Sequence, residues 1–204
     1  MLFEPYKDEL EYIERIHNYN EKEYTIIRLT PTMLEKSIID ANVFVQDILD
    51  KYGVMTFSQL KNGEKKKLPS ELYVGDNKFN TTMSWYKAKT RGDERFWIYG
   101  SCFKKNFLVG DLIYITVNPT NERVLVVNVS RGMLSNDVLT KIFGEDRIKE
   151  ALSRLIPKVK TIASLGYHPN SKGKGKISPK DAGDTLENLL GIITNNSQKA
   201  DFED

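Results

Sequence analysis

Two runs of β-branched and aromatic residues in the middle of the chain constrain its fold most strongly. Residues 111–117 (DLIYITV) and 123–129 (RVLVVNV) have the composition of β-strands. The intervening residues 118–122 (NPTNE) are typical of a turn, so the two runs are expected to form a hairpin. Residues 95–99 (RFWIY) predict a further strand. The middle of the chain is therefore expected to fold as a β-sheet.

Helices are expected on both sides of this sheet in the sequence, which predicts an α/β (α+β) fold. Residues 5–17 and 41–52 place apolar side chains at helical spacing, and residues 23–29 predict a strand between them. Helices are also expected at 135–144 and at 145–156, the second one stopping before Pro157. Between the second helix and the strand at 95–99, residues 61–67 (KNGEKKK) have the composition of a solvated loop.

Composition excludes several classes of site. The chain has 204 residues, of which 40% are hydrophobic, enough to bury a core. Its single cysteine, Cys102, excludes an internal disulfide and suits a reducing cytoplasm, and two histidines with one cysteine make no zinc pattern. No apolar run approaches ~18 residues, so no membrane span is expected. Because the net charge is only +2, nucleic-acid binding would have to depend on local clustering.

One stretch combines alternating charges with aromatic residues. In SWYKAKTRGDERFWIYG, at 84–100, charged side chains occupy every second position from 87 to 95. An extended chain would place these five side chains on one face. They are Lys87, Lys89, Arg91, Asp93 and Arg95.

The chemistry of this face matches a DNA groove. Arginine donates two hydrogen bonds to guanine O6 and N7, and a carboxylate accepts one from cytosine N4. Because a carboxylate near phosphate is repulsive, Asp93 favours base reading over a purely phosphate-binding role. Lys87 and Lys89 are expected to contact phosphates. The alternative is that this face is simply the solvated side of an antiparallel sheet.

At these residues the sequence resembles a known family. KTRGDER at 89–95, followed by aromatic strand residues, resembles the recognition arm of the N-terminal effector domain of EcoRII-type restriction enzymes. The resemblance covers roughly residues 5–155 and implies a DNA-binding β-pseudobarrel with flanking helices, shared with plant B-three transcription factors. In that family two arms grip the major groove, and the implied target is 5′-CCWGG or a close relative.

The resemblance carries over to individual residues of the second arm. Lys89 and Arg91 match arm residues at the DNA interface, and Arg95 matches the base-reading arginine. Asp93 stands in place of the family's glutamate, and Glu94 departs from the pattern, which has lysine there.

The first arm is expected at about 32–42 and aligns poorly with the family. Lys36, Ser37 and Asn42 are candidates there by position and chemistry only.

A second resemblance lies at the C-terminus. Residues 183–202 (GDTLENLLGI…ADF) are similar to the start of the catalytic domain in MvaI- and BcnI-type nucleases. Asp201 would match the first metal-binding aspartate of that family, although Ala200 replaces its usual proline. In that family a glutamate–x–lysine pair follows and completes the magnesium site, and no such pair occurs between Asp201 and Asp204.

These observations predict an organisation and a function. The expected order is a DNA-binding domain at 1–165, a linker at 166–182 and the truncated start of a nuclease domain at 183–204. The chain is expected to bind double-stranded DNA as the effector domain of a bacterial, cytoplasmic type II (IIE-like) restriction endonuclease. The intact enzyme would need Mg²⁺ and a C-terminal nuclease domain, whereas this chain would bind no cofactor and cut no DNA. The alternatives are a transcription regulator on the same fold and a protein-interaction module.

Overall fold

The computed structural model describes residues 4–170 and 178–192. Contacts between Cα atoms divide the chain into two compact units, Met1–Glu145 and Asp146–Asp204. The predicted linker at 166–182 stays a prediction, because residues 171–177 lie outside the described ranges. Within those ranges, no helix is both long and apolar enough to cross a bilayer.

The first unit is built on one sheet whose strands, within the described ranges, number seven. They are β1 (Thr25–Arg28), β2 (Ile39–Asp40), β3 (Lys65–Val74), β4 (Asn77–Lys87), β5 (Glu94–Ile98), β6 (Leu112–Val117) and β7 (Val124–Asn128). Their order in the sheet is β1-β6-β7-β3-β4-β5-β2. Strands β3 and β7 run parallel, and the other neighbouring pairs are antiparallel. The sheet curls into a half-barrel with flanking helices, which confirms the predicted mixed α/β class.

Helices lie before, between and after these strands. Those of the first unit are α1 (Lys7–His17), α2 (Pro31–Lys36), α3 (Val43–Lys51), α4 (Ser101–Asn106) and α5 (Asn136–Phe143). The N-terminus of α5 is capped by Ser135, whose hydroxyl accepts a hydrogen bond from the Val138 amide.

Strands β6 and β7 are buried on both faces because they separate two hydrophobic clusters. Ile113 and Ile115 of β6 join one cluster, with side chains of α3, β4 and β5. Leu112 and Tyr114 join the other, with side chains of α1 and α5. Since successive side chains of a strand point to opposite faces, only an apolar run can fill both clusters. The predicted hairpin is confirmed by the pairing of Val117 with Val124.

The region before this hairpin departs from the prediction. Residues 65–67 do not belong to a solvated loop but begin β3, where Lys65 pairs with Tyr86 and Lys67 with Ser84 of β4. All three lysines remain exposed. Backbone pairing, rather than side-chain burial, therefore holds this end of the strand, which composition alone does not reveal.

The second unit contains two helices in its described part. Helix α6 (Arg147–Ser164) continues through Pro157, so the predicted stop before that proline was wrong. Proline removes one backbone donor inside a helix, at a cost of about 3 kcal/mol, but the rest of the hydrogen-bond ladder persists. The predicted helix at TLENLLGI is confirmed as the second half of α7 (Lys180–Leu190), which ends at Gly191 in the left-handed conformation.

A buried ion pair fastens α1 to the sheet. Glu9 is only 1% exposed and accepts hydrogen bonds from Arg28 Nη2 at 2.6 Å, from the Tyr6 amide at 2.8 Å and from Ser130 Oγ. Burial by itself would raise the pKa of Glu9, but the hydrogen bonds from Arg28, Ser130 and Tyr6 outweigh it and leave the pKa below its ordinary value. The charged form of Glu9 therefore stabilises the fold.

Glu9→Gln is expected to lower the free energy of unfolding by about 3–5 kcal/mol at neutral pH, because Arg28 stays buried without its carboxylate. A depressed pKa contributes stability above the unfolded-state value of about 4.3, and this contribution is lost as pH falls through the folded-state value. Urea denaturation at neutral pH and at about pH 3 should therefore show the difference from wild type shrinking in acid. The exposed Glu11→Gln is the control, and a pH-independent difference would contradict the assignment.

Candidate functional site

The register of four neighbouring strands places four polar side chains in one row. Lys65 of β3 pairs with Tyr86 of β4, Tyr86 with Arg95 of β5, and Arg95 with Asp40 of β2. Paired residues in adjacent strands share a face of the sheet. The adjacent row, in which Trp85 pairs with Phe96, belongs to the opposite face, and Trp85 is fully buried there. The row therefore lies on the face turned away from the Trp85 core.

A turn connects β4 to β5, which corrects the expectation of one extended strand through residues 87–95. The Ala88 amide donates to the Asp93 carbonyl at 2.8 Å, and the Gly92 amide donates to the Ala88 carbonyl at 2.9 Å. Gly92 has a φ of +77°, which side-chain-bearing residues rarely adopt. Because Lys87 pairs with Glu94 rather than Arg95, its side chain and that of Arg95 point to opposite faces.

The charged residues nevertheless converge on one open cleft of about 950 Å³. The cationic lining residues are Lys65, Lys87, Lys89, Arg91 and Arg95, whereas Asp93 is the acidic one. The chain as a whole carries a net charge of only +2, so positive charge is concentrated here. We call this surface, formed by the lining residues 37, 63, 65, 84, 86–91, 93, 95, 97 and 99, the basic cleft.

Two carboxylates lie beside Arg95, one of the lining residues of the basic cleft. Its Nη2 donates to Asp93 Oδ2 at 2.9 Å, and its Nε lies 3.4 Å from Asp40 Oδ1. The side chain of Arg95 is 29% exposed, that of Asp93 44% and that of Asp40 76%. Asp93 therefore has an intramolecular role, and its predicted contact with a base stays a prediction.

The other predicted residues of the second arm differ in their exposure and in their ion-pair partners. Lys87 lies 3.5 Å from Glu94 and its side chain is only 18% exposed. Lys89 and Arg91 are exposed on the turn. Their ammonium and guanidinium groups are thus more accessible to an incoming anion than that of Lys87.

The three predicted residues of the first arm lie around α2, β2 and α3. Ser37 ends α2 with a φ of +55° and lines the basic cleft. Lys36 is exposed in the last turn of α2 and is not part of the lining. Asn42 caps α3, since its Oδ1 accepts from the Val45 amide at 3.0 Å. That bond explains Asn42 structurally, and its predicted role in DNA binding stays a prediction.

Sequence reasoning missed several residues of the site. Lys65 lies in a stretch with the composition of a loop, Asp40 belongs to no motif, and the aromatic residues Tyr86, Trp97 and Tyr99 are typical of strands in general. Burial raises the pKa of Tyr86, against the opposing effect of Arg95, so its phenol stays neutral near neutral pH.

The metal site implied by the nuclease resemblance falls on Asp201, which lies outside the described residues. Among residues 4–170 and 178–192, no group of three or more His, Cys, Asp or Glu side chains is arranged to hold a metal ion.

No protein-family model matches this sequence, and neither the curated proteins nor the solved structures contain a significant match to it.

Gly92→Ala is expected to destabilise the turn by about 1–2 kcal/mol, because an L-residue pays this cost at positive φ. An added Cβ would also lie 2.9 Å from Asn62 Oδ1, the end of a flexible side chain. Denaturant unfolding of Gly92→Ala, Asn62→Ala and the double variant separates the two effects. We expect the double variant to remain destabilised, since removing Asn62 relieves only the contact; full recovery would show that steric contact alone is responsible.

Proposed function

We propose that the first unit binds double-stranded DNA through the basic cleft and reads base edges in the major groove. The observation that supports this most strongly is that five cations and one acid line one open cleft of a nearly neutral chain. A surface of this kind attracts the phosphate backbone, because DNA releases condensed counterions when lysine and arginine neutralise its phosphates. The exposed side chains of Lys89 and Arg91 are suited to that contact.

Sequence specificity is assigned to Arg95 and Asp93. Arginine carries five N–H donors, and one carboxylate bond leaves most of them available. Asp93 binds Arg95 through Oδ2, so its Oδ1 remains able to accept from a cytosine amino group. An adjacent arginine and aspartate thus match the guanine and cytosine edges of a G·C pair. With the effector-domain resemblance, this favours 5′-CCWGG as the target.

The wider role follows from the two resemblances together. We propose that the chain is the effector or targeting part of a bacterial type II restriction endonuclease, whose nuclease domain would use Mg²⁺. A curled mixed sheet with flanking helices is compatible with the effector-domain pseudobarrel. A transcription regulator would share the DNA-binding property but not the nuclease partner.

The primary test is a binding titration with a CCWGG duplex and a scrambled duplex of the same composition. We expect tighter binding to CCWGG by at least about 10³-fold, the lower end of specific over non-specific binding. Equal affinity for both duplexes would remove the specificity proposal, and absence of binding to either would remove the DNA-binding proposal.

Lys89→Ala is expected to weaken binding to both duplexes by a similar factor, because a phosphate contact carries no sequence information. The slope of log K against log salt should fall by about 1. Titrations at several salt concentrations measure it, with Lys141→Ala, an exposed lysine of α5 outside the basic cleft, as control. A loss confined to CCWGG would contradict a phosphate role.

Arg95→Ala is expected to cost about 1–3 kcal/mol in binding to CCWGG and to relax the preference at one base pair. Titrations against duplexes carrying single base-pair substitutions locate that pair. If each base-pair substitution lowered the affinity of the Arg95→Ala variant by the same factor as that of the wild type, Arg95 would not be a base-reading residue.

A further inference from the structure

The two carboxylates approach Arg95 on the same edge of its guanidinium group. Asp40 lies 3.4 Å from Nε and Asp93 lies 2.9 Å from Nη2. Nε and Nη2 form the side edge of the planar group, whereas Nη1 and the second hydrogen of Nη2 form its end edge. Nη1 has no hydrogen-bond partner among the described residues, and the buried Nε is within ion-pair but not hydrogen-bond geometry of Asp40.

The position of Asp40 is set by the backbone. Asp40 is the cross-strand partner of Arg95, and the next residue, Ala41, donates its amide to the Glu94 carbonyl at 2.9 Å. The preceding residue, Ile39, is fully buried opposite Phe96. Strand β2 is therefore fixed on both sides of Asp40, which places its side chain next to Arg95.

The side chain of Asp40 is 76% exposed, and an ion pair that is exposed to this extent adds little stability. A carboxylate beside a phosphate-binding cleft also weakens attraction to DNA. Neither stability nor general affinity accounts for an acid at this position. Orientation of Arg95 accounts for it, because two carboxylates on the side edge of the guanidinium group leave its end edge for the O6 and N7 acceptors of guanine.

We propose that Asp40 is a positioning residue that, with Asp93, fixes the guanidinium of Arg95 so that its end edge reads guanine. This inference rests on the proposed DNA-binding function and deepens it. Asp40 contacts no base in this arrangement. It acts through Arg95 by restricting rotation of a side chain that would otherwise lose rotamer entropy on binding.

The test compares Asp40→Asn and Asp40→Ala with wild type, using Asp47→Asn, an exposed acid of α3 outside the basic cleft, as the matched control. Affinities are measured for the CCWGG duplex, for duplexes with single G·C pairs replaced, and for the scrambled duplex. The ratio of affinities between intact and replaced duplexes is the readout, because a change in general electrostatics does not alter it.

We expect Asp40→Ala to reduce that ratio by roughly tenfold at the pair read by Arg95, which is a part of the discrimination that a bidentate contact provides. Asp40→Asn should give a smaller loss, since it keeps an acceptor oxygen beside Nε without the charge. Affinity for the scrambled duplex should stay equal or rise. Thermal unfolding of both variants checks that the fold is retained, and Asp40→Asn alone decides if Asp40→Ala does not fold.

Two outcomes separate failure of this inference from failure of the proposed function. An unchanged ratio with uniformly tighter binding would show that Asp40 only repels phosphates and would overturn the positioning role, while leaving DNA binding in place. An absence of wild-type discrimination, or an Arg95→Ala ratio equal to wild type, would instead remove the base-reading function on which the inference depends.

Discussion

The parallel pairing of β3 with β7 joins the two antiparallel halves of the sheet, and the rest of the first unit depends on it. Residues 70–73 pair with residues 124–127, where Leu72 and Val126 are fully buried. At this junction the buried Glu71 accepts hydrogen bonds from Lys78, at 2.8 Å, and from two asparagines that follow β6. The carboxylate thus ties the connection between β6 and β7 to β3.

This junction determines where the basic cleft can lie. Strands β4, β5 and β2 extend beyond β3, away from the doubly covered strands β6 and β7. One face of this extension packs Trp85 and Phe96 into the core, with ring centroids 4.8 Å apart. Because the pleat alternates, the residues beside them, Tyr86 and Arg95, are placed on the other face above a rigid support. A site supported in this way is preorganised, which reduces the entropic cost of binding.

The acids of the site illustrate a balance between attraction and orientation. Each carboxylate near Arg95 reduces the positive potential of the cleft, yet each also restricts the guanidinium. The exposed Lys89 and Arg91 lie on the turn, where a positive φ at Gly92 allows the chain to reverse. In the proposed function, the cations that would contact the DNA backbone are therefore on a loop, and the side chain that would read a base is on a strand. This division matches the different precision that the two contacts require.

The residue patterns of the sequence were sufficient to predict the strands and helices that are buried. The hairpin of β6 and β7, helix α1 and helix α5 follow from residue patterns, because burial on one or both faces demands a fixed apolar spacing. The charged end of β3 did not follow, since its pairing with the distant strand β4 overrides local composition. The continuation of α6 did not follow either, since a proline usually ends a helix but can be accommodated with the loss of one backbone hydrogen bond. The residue types of the candidate site were visible in KTRGDER, but their arrangement was not.

By itself, the sequence determined that the chain has a mixed α/β core and that positive charge is concentrated around residues 87–95, because both are properties of local composition and period. Only the tertiary structure decided that this stretch is a turn between two strands, and that Lys65 and Asp40 lie in one row with Arg95. The physical reason is register: hydrogen bonding between strands brings together residues that are tens of positions apart, and no local pattern encodes which ones face each other.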